Sequence, residues 1–169
     1  MNTLLSSLRD KIQDIDTALC ELLQKREYLV QQIAQYKQDE SLHLFAPQQE
    51  QLLYSRLVNK GYNYPYIIKE IIAHSRFLQG LICYTLDNND ILFAKLALGF
   101  ATHVEYMESI PPHFDIFSSL FYIPYNHVQK LENLYTCAIY RISMNNTSYT
   151  YHAMTAIPYE IPVEFSICI

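Results

Sequence analysis

Apolar side chains recur along the first part of the chain in steps that alternate between four and three residues, from Leu5 to Tyr36. No glycine or proline interrupts this stretch, so the pattern predicts one helix of about 30 residues. A helix of this length normally packs along another long helix, often one from a symmetry-related copy. The apolar positions that define the stripe are Leu8, Ile12, Ile15, Leu19, Leu22, Leu29, Ile33 and Tyr36.

Two prolines predict the starts of two further helices. Residues 38–46 are interpreted as a polar loop, after which Pro47 opens a second helix that Gly61 closes. Pro65 opens a third helix, which we expect to continue through an apolar run to Tyr84. The predicted order is a long, a short and a medium helix.

The pattern breaks at residues 87–90, and the composition then shifts toward aromatic and β-branched residues. Residues 90–109 still favour a helix, whereas residues 144–148, MNNTS, are typical of a hairpin turn between strands. We therefore predict an all-α three-helix domain over residues 1–86 and a small α+β domain with an antiparallel sheet over 87–169. The predicted strands are 118–124, 135–143, 148–158 and 161–169.

The composition of the chain argues against several classes of binding partner and indicates a cellular compartment. Twelve Lys and Arg face seventeen Asp and Glu, and no basic run is present, so nucleic acid is not an expected partner. No apolar stretch approaches a membrane span and the first residues do not form a signal peptide, which predicts a cytoplasmic protein without a membrane partner. The four cysteines and the histidines lack ligand spacing, so no metal site is predicted.

One arginine occupies an apolar position of the long helix. Arg26 falls in the same seven-residue register position as Ile12, Leu19 and Ile33. Desolvating it there costs several kcal/mol unless an anion or a hydrogen bond compensates. Two interpretations remain open: Arg26 binds an anionic ligand, or it fixes the register of the helix and pairs with a carboxylate such as Glu50.

Other polar residues follow from the same helical geometry. Lys37 lies three helical turns beyond Arg26 on the same face, about 16 Å along the axis. Arg9 points away from that face, so it could serve such a pocket only from a second copy of the chain. The alternative interpretation is that Arg9 and Lys37 are solvated surface charges. Ser75 and Gln79, four residues apart on the third helix, form a polar pair that helix contacts alone could also explain.

Three segments together resemble the all-helical chorismate mutase family in order, spacing and residue type. The first is the most specific, because its LRDKI start, its KRE and its terminal lysine keep the separations typical of that family. The resemblance covers residues 5–84, and we recognise no family in the second half. The segments are LRDKIQDIDTALCELLQKREYLVQQIAQYK, FAPQQEQLLYSRL and IIKEIIAHSRFLQ.

The resemblance implies an entwined homodimer that converts chorismate to prephenate, within aromatic amino-acid synthesis by the shikimate pathway. Arg26 of one subunit and Arg9 of the other would bind the two carboxylates of this small dicarboxylate. The reaction is pericyclic and needs no cofactor. The other implied roles are ether-oxygen donors for Lys37 and Gln79, an acceptor of the ring hydroxyl for Glu50, a carboxylate neighbour for Ser75, and apolar pocket walls for Ile33 and Ile72.

Two positions depart from the family pattern. The family usually has Asp where this chain has Ala46, and Arg, which orders the neighbouring glutamate, where it has Gln49. Ala46 cannot cap the second helix. Two alternatives to the mutase therefore stay open: an isochorismate-pyruvate lyase, whose members can lack the same arginine, and a non-catalytic dicarboxylate-binding or regulatory module.

Overall fold

The computed structural model describes residues 3–62, 64–111, 113–128, 131, 133–158 and 161–168. Its first part consists of three helices, α1 (Thr3–Asp39), α2 (Pro47–Asn59) and α3 (Pro65–Leu78). The prolines open α2 and α3 as predicted, and Ala46 contributes no side-chain cap. Gly61 follows α2 with a positive φ of 79°, and the amide of Tyr62 donates to the carbonyl of Leu57, which is the expected helix end.

The third helix is shorter than predicted. It ends before Gly80, whose φ is +82°, and the amide of Leu81 donates to the carbonyl of Arg76 across the turn. This is the same left-handed glycine ending that closes α2. The apolar residues beyond it form a strand, β1 (Ile82–Thr85), so the predicted extension of the helix to Tyr84 is wrong.

The predicted polar loop between α1 and α2 is largely buried. The side chains of His43, Leu44 and Phe45 are all less than a tenth exposed. His43 bridges backbone groups, because its Nδ1 accepts from the amide of Phe45 at 3.0 Å and its Nε2 contacts the carbonyl of Ser119 at 3.1 Å. The loop is therefore part of the core and joins the helices to the sheet.

The remaining elements complete an α+β arrangement. The helix expected over residues 90–109 ends at Gly99, and the chain then turns into a strand. The elements are α4 (Asp90–Leu98), β2 (His103–Tyr106), β3 (Ser119–Pro124), α5 (Tyr125–Val128), β4 (Tyr135–Met144), β5 (Thr147–Thr155) and β6 (Val163–Cys168). Four of these strands were predicted, although Ile169, at the end of the last one, lies outside the described residues.

The strands form one six-stranded mixed sheet in the order β2-β1-β3-β5-β4-β6. The prediction of an antiparallel sheet is only partly right, because β1 pairs in parallel with β2 and β3, and β6 pairs in parallel with β4. The hairpin between β4 and β5 is confirmed. Asn145 and Asn146 both have positive φ, at 49° and 62°, as a type I′ turn requires.

Both faces of the sheet are covered. One face packs against α4 and the loop before α2, through Leu44 and Phe45. On the opposite face Phe121, Ile123 and Met154 contact partly buried side chains of residues 107–134. Strand β1 precedes the boundary predicted at residue 87, yet it pairs with two strands that follow that boundary. No described helix is long and apolar enough to cross a membrane.

Helix α3 is tied to the end of α4. The ammonium of Lys69 donates to the carbonyl of Leu96 at 2.8 Å, and the guanidinium of Arg76 donates to that of Leu98 at 2.6 Å. Cations at the carboxyl end of a helix satisfy its free carbonyls and oppose its dipole. These contacts fix α3 relative to the sheet.

Candidate functional site

Helix α1 packs on α3 through only the last third of its length. Val30 and Ala34 of α1 are buried, and Ile72 and Ser75 are buried on the facing side of α3. The two helices are in contact here, and polar side chains join them through Arg26 with Ser75 and Glu27 with His74. Three of the residues predicted from the sequence, Arg26, Ile72 and Ser75, lie at this contact.

Arg26 reaches across from α1 to α3. Its guanidinium donates to the hydroxyl of Ser75 and, at 3.4 Å, to the carbonyl of Ile71, while the Ser75 hydroxyl donates to the same carbonyl at 2.7 Å. Burial lowers the pKa of Arg26. Because both acceptors are uncharged, these contacts satisfy hydrogen bonds without neutralising the cation.

Lys37 lies further along the same helix and is partly buried. Its ammonium donates to the carbonyl of Leu44 at 2.7 Å. Burial lowers the pKa of Lys37, and the nearby carboxylate of Glu50 acts in the opposite direction. A second cation is thus positioned on α1, about 16 Å along the helix axis from Arg26.

Glu50 is bound to a residue that the sequence analysis did not consider. Its carboxylate oxygens accept from Nε and Nη2 of Arg76 at 2.9 and 2.5 Å, so the proposed pairing of Glu50 with Arg26 is wrong. Arg76 is buried and also lies over the ring of Phe45. Although burial opposes it, Glu50 raises the pKa of the guanidinium.

The sequence did contain a signal for Arg76. The residue follows Ile72 by four positions, on the apolar stripe of α3, so the argument made for Arg26 applies to it equally. A cation at that position needs a partner, and Glu50 supplies one. The prediction rested instead on the polar pair of Ser75 and Gln79 on the same helix.

The other predicted residues occupy different positions relative to this contact. Gln79 caps the end of α3 and is partly buried, and its side chain makes no hydrogen bond to the described residues. Ile72 is buried, whereas Ile33 is 49% exposed. Arg9 lies 17 residues before Arg26 in the sequence, about 25 Å away along α1, and so does not reach the contact within one chain.

Helix α1 carries an apolar stripe that nothing in the described chain covers. The residues predicted to pack, among them Leu8, Ile15 and Leu22, are between about half and two thirds exposed. We call this surface the α1 stripe; it comprises Leu8, Ile12, Ile15, Leu19, Leu22, Leu29 and Ile33. An apolar surface of this extent is typical of an interaction site.

Comparison with known proteins finds a family match in the first part of the chain. Residues 8–80 match the family model described as chorismate mutase type II, a family of isomerases, and the C-terminal half matches no family model. The resemblance noted in the sequence is thereby confirmed for the helical region. Neither the curated proteins nor the solved structures contain a match to this chain.

Proposed function

We propose that the helical region binds chorismate and rearranges it to prephenate. The observation that carries this proposal is the position of Arg26, which lies partly buried between α1 and α3 with only uncharged acceptors. A carboxylate that bound it bidentately would offset its desolvation. The match of residues 8–80 to the mutase family supports chorismate as the source of that carboxylate.

The proposed rearrangement requires from the protein a pocket of the right shape and well-placed hydrogen-bond donors. In a pericyclic rearrangement the bonds form and break in one step, so no nucleophile is needed. The protein holds the flexible dianion in its reactive conformation and directs donors at the ether oxygen, on which negative charge develops. Lys37 and Gln79 are proposed as these donors, and removal of one such donor typically costs about 3 kcal/mol.

Gln49 stands where the family has an arginine, and another arginine of this chain contacts the same glutamate. In the family an arginine at this position orders the neighbouring glutamate, and here the same glutamate is bound by Arg76 from α3. Each carboxylate oxygen keeps a further lone pair. Glu50 is therefore proposed to accept from the ring hydroxyl while it remains paired with Arg76.

A second copy of the chain is proposed to complete the site. If two α1 helices run antiparallel about a two-fold axis near Thr17, residues whose numbers add up to 35 lie opposite each other. Arg9 of the partner subunit then lies level with Arg26, and the two copies of the α1 stripe face each other. The exposure of that stripe supports this arrangement.

The first test is an assay of the purified protein with chorismate and, separately, with isochorismate. We expect prephenate from chorismate and a loss of at least about a hundredfold in kcat/KM for Lys37→Ala. Lys60→Ala, which removes an exposed lysine at the end of α2, is the matched control. Salicylate and pyruvate from isochorismate would identify a lyase instead, and ligand-induced stabilisation without turnover would identify a binding module.

The second test concerns the shared site. We expect Leu19→Glu to give a monomer by light scattering and to abolish activity, because a carboxylate would be buried in the helix contact. Leu52→Glu, at an equally exposed position of α2, should leave both unchanged. Mixing inactive Arg9→Ala and Arg26→Ala proteins should restore about a quarter of the activity, since each heterodimer holds one intact site. Failure of the mixture to recover activity argues against an intersubunit site.

A further inference from the structure

A cavity lies on the side of α2 and α3 that faces the sheet. It has a volume of about 320 Å³, a size that fits a small organic molecule. Residues of both parts of the chain line it, including Tyr54 of α2, Tyr66 and Lys69 of α3, Tyr140 of β4 and Phe165 of β6. Glu50 also lines it, but Arg26, Lys37, Ser75 and Gln79 do not, so the cavity shares only Glu50 with the proposed chorismate site.

The wall of this cavity is mainly aromatic. The rings of Tyr140 and Phe165 stack with their centroids 5.0 Å apart and an angle of 11° between their planes. Tyr54 and Tyr66 contribute two more rings from the helices. Aromatic surfaces arranged in this way favour a planar aromatic guest, which can stack against a ring or contact its edge.

The charges on the wall are not balanced. Glu50 and Arg76 neutralise each other, which leaves the ammonium of Lys69 as the remaining formal charge among the described lining residues. Lys69 donates to the carbonyl of Leu96 and lies 5.7 Å from the centre of the Tyr66 ring. It can donate two further hydrogen bonds. Burial lowers the pKa of Lys69, and the nearby carboxylate of Glu70 acts in the opposite direction; an anionic group in the cavity would compensate further for lost hydration.

Tyr140 also contributes a hydroxyl to the wall of this cavity. The residue is only 3% exposed, and its hydroxyl makes no hydrogen bond to the described residues. A polar group of a ligand in the cavity would supply what this hydroxyl lacks.

We infer that this cavity is a binding site for a small aromatic carboxylate, with the ring among Tyr54, Tyr66 and Phe165 and the carboxylate bound by Lys69. Tyr140 donates to a polar atom of the same ligand. Although Glu50 belongs to both sites, the groups that bind this ligand, Lys69 and Tyr140, are not among the residues proposed for the mutase reaction.

Phenylacetate is a suitable probe, and phenylacetamide is its uncharged counterpart. Ligand-observed NMR titration of the full chain should show phenylacetate binding that is about tenfold weaker for Lys69→Gln, with phenylacetamide weakened similarly on the unaltered protein. Lys60→Gln removes an exposed lysine outside the cavity and should leave the dissociation constant unchanged.

Lys69 also donates to a carbonyl of α4, so a loss of binding in Lys69→Gln could result from a loss of folding. A second variant separates the two effects. Ser55 is exposed at the rim of the cavity, so Ser55→Trp should obstruct it and abolish phenylacetate binding without a change in the thermal midpoint. The inference is overturned if phenylacetate does not bind at millimolar concentration. It is equally overturned if binding survives both variants but disappears in Arg26→Ala, because the ligand then occupies the other site.

Discussion

Two arginines of the helical region lose hydration on burial, and they differ in the groups that compensate for this loss. Arg76 is fully buried and is compensated by the carboxylate of Glu50, the carbonyl of Leu98 and the ring of Phe45. Arg26 has only uncharged acceptors. Because a buried cation without an anion is costly, Arg76 is a structural residue, whereas Arg26 remains available for an anionic ligand.

His43 makes the stability of the fold depend on pH. Burial lowers the pKa of His43, and the charge of Lys37 acts in the same direction. The unfolded chain therefore takes up a proton as the pH falls through about 6.5, while the folded chain resists it. We expect stability to be retained above this pH and lost below it, with a slope of at most about 1.4 kcal/mol per pH unit.

Urea unfolding between pH 8 and pH 5 measures this effect. His43→Asn retains an acceptor for the amide of Phe45 but cannot be protonated, so its stability should fall less steeply than that of the unaltered protein. His113→Asn changes an exposed histidine and is the control. Equal slopes for the unaltered protein and His43→Asn would contradict the prediction.

Elements whose ends depend on local residues could be predicted from the sequence, and those that depend on distant partners could not. Pro47, Pro65 and Gly61 mark helix ends by their own backbone preferences, and the hairpin at Asn145 follows in the same way. Strand β1 is a short apolar run buried within a sheet, and periodicity does not distinguish such a run from a helix.

The same distinction applies to the candidate site: features that depend on local residues could be predicted, and those that depend on distant partners could not. The need of Arg26 for a partner was visible because it depends on one helix and its apolar register. The pairing of Glu50 with Arg76 joins two helices across 26 positions of sequence, and nothing local specifies it. The side chains by which α1 is buried within its own chain lie outside the predicted stripe and were not predicted. The regular stripe is exposed, whereas Val30 and Ala34 pack within the chain.

The close approach of α4 to α3 depends on Gly99. This residue has a φ of +103°, and a Cβ atom placed on it would lie 2.6 Å from the Cβ of Ala73 and 3.2 Å from the carbonyl of Lys69. We expect Gly99→Ala to destabilise the protein by about 3 kcal/mol, through strain and overpacking together.

Gly61→Ala is the matched control for this prediction. Gly61 also has a positive φ, but a Cβ atom there would meet nothing within 4 Å. Its cost is that of the backbone conformation alone, about 1 kcal/mol. Chemical denaturation of both variants measures the difference, and equal losses would show that the contact with Ala73 is unimportant.

At the scale of the molecule, the helical region and the sheet share one core. Leu44, Phe45, Leu81 and Cys83 all precede residue 87, and all pack with residues of α4, β3, β4 and β5. Arg76 donates to the last carbonyl of α4. The region that resembles the mutase family therefore depends on the rest of the chain for the burial of its own apolar residues.

Truncation tests this dependence. A chain that ends at residue 86 would expose these four apolar side chains and leave β1 without the strands that flank it. We expect it to aggregate or to unfold without a cooperative transition, whereas the full chain melts cooperatively in circular dichroism. A soluble fragment with a sharp transition would show that the helices fold on their own.

The α1 stripe has a consequence for the folding of α1 itself. Before Arg26, the described residues of this helix are all exposed, so in a dilute monomer the segment has little beyond its own backbone hydrogen bonds to keep it helical. Lone helices of such length are marginal in water. In the proposed dimer, the folded length of α1 would therefore depend on protein concentration: dilution would fray the helix back toward Arg26, and association would restore it by mass action.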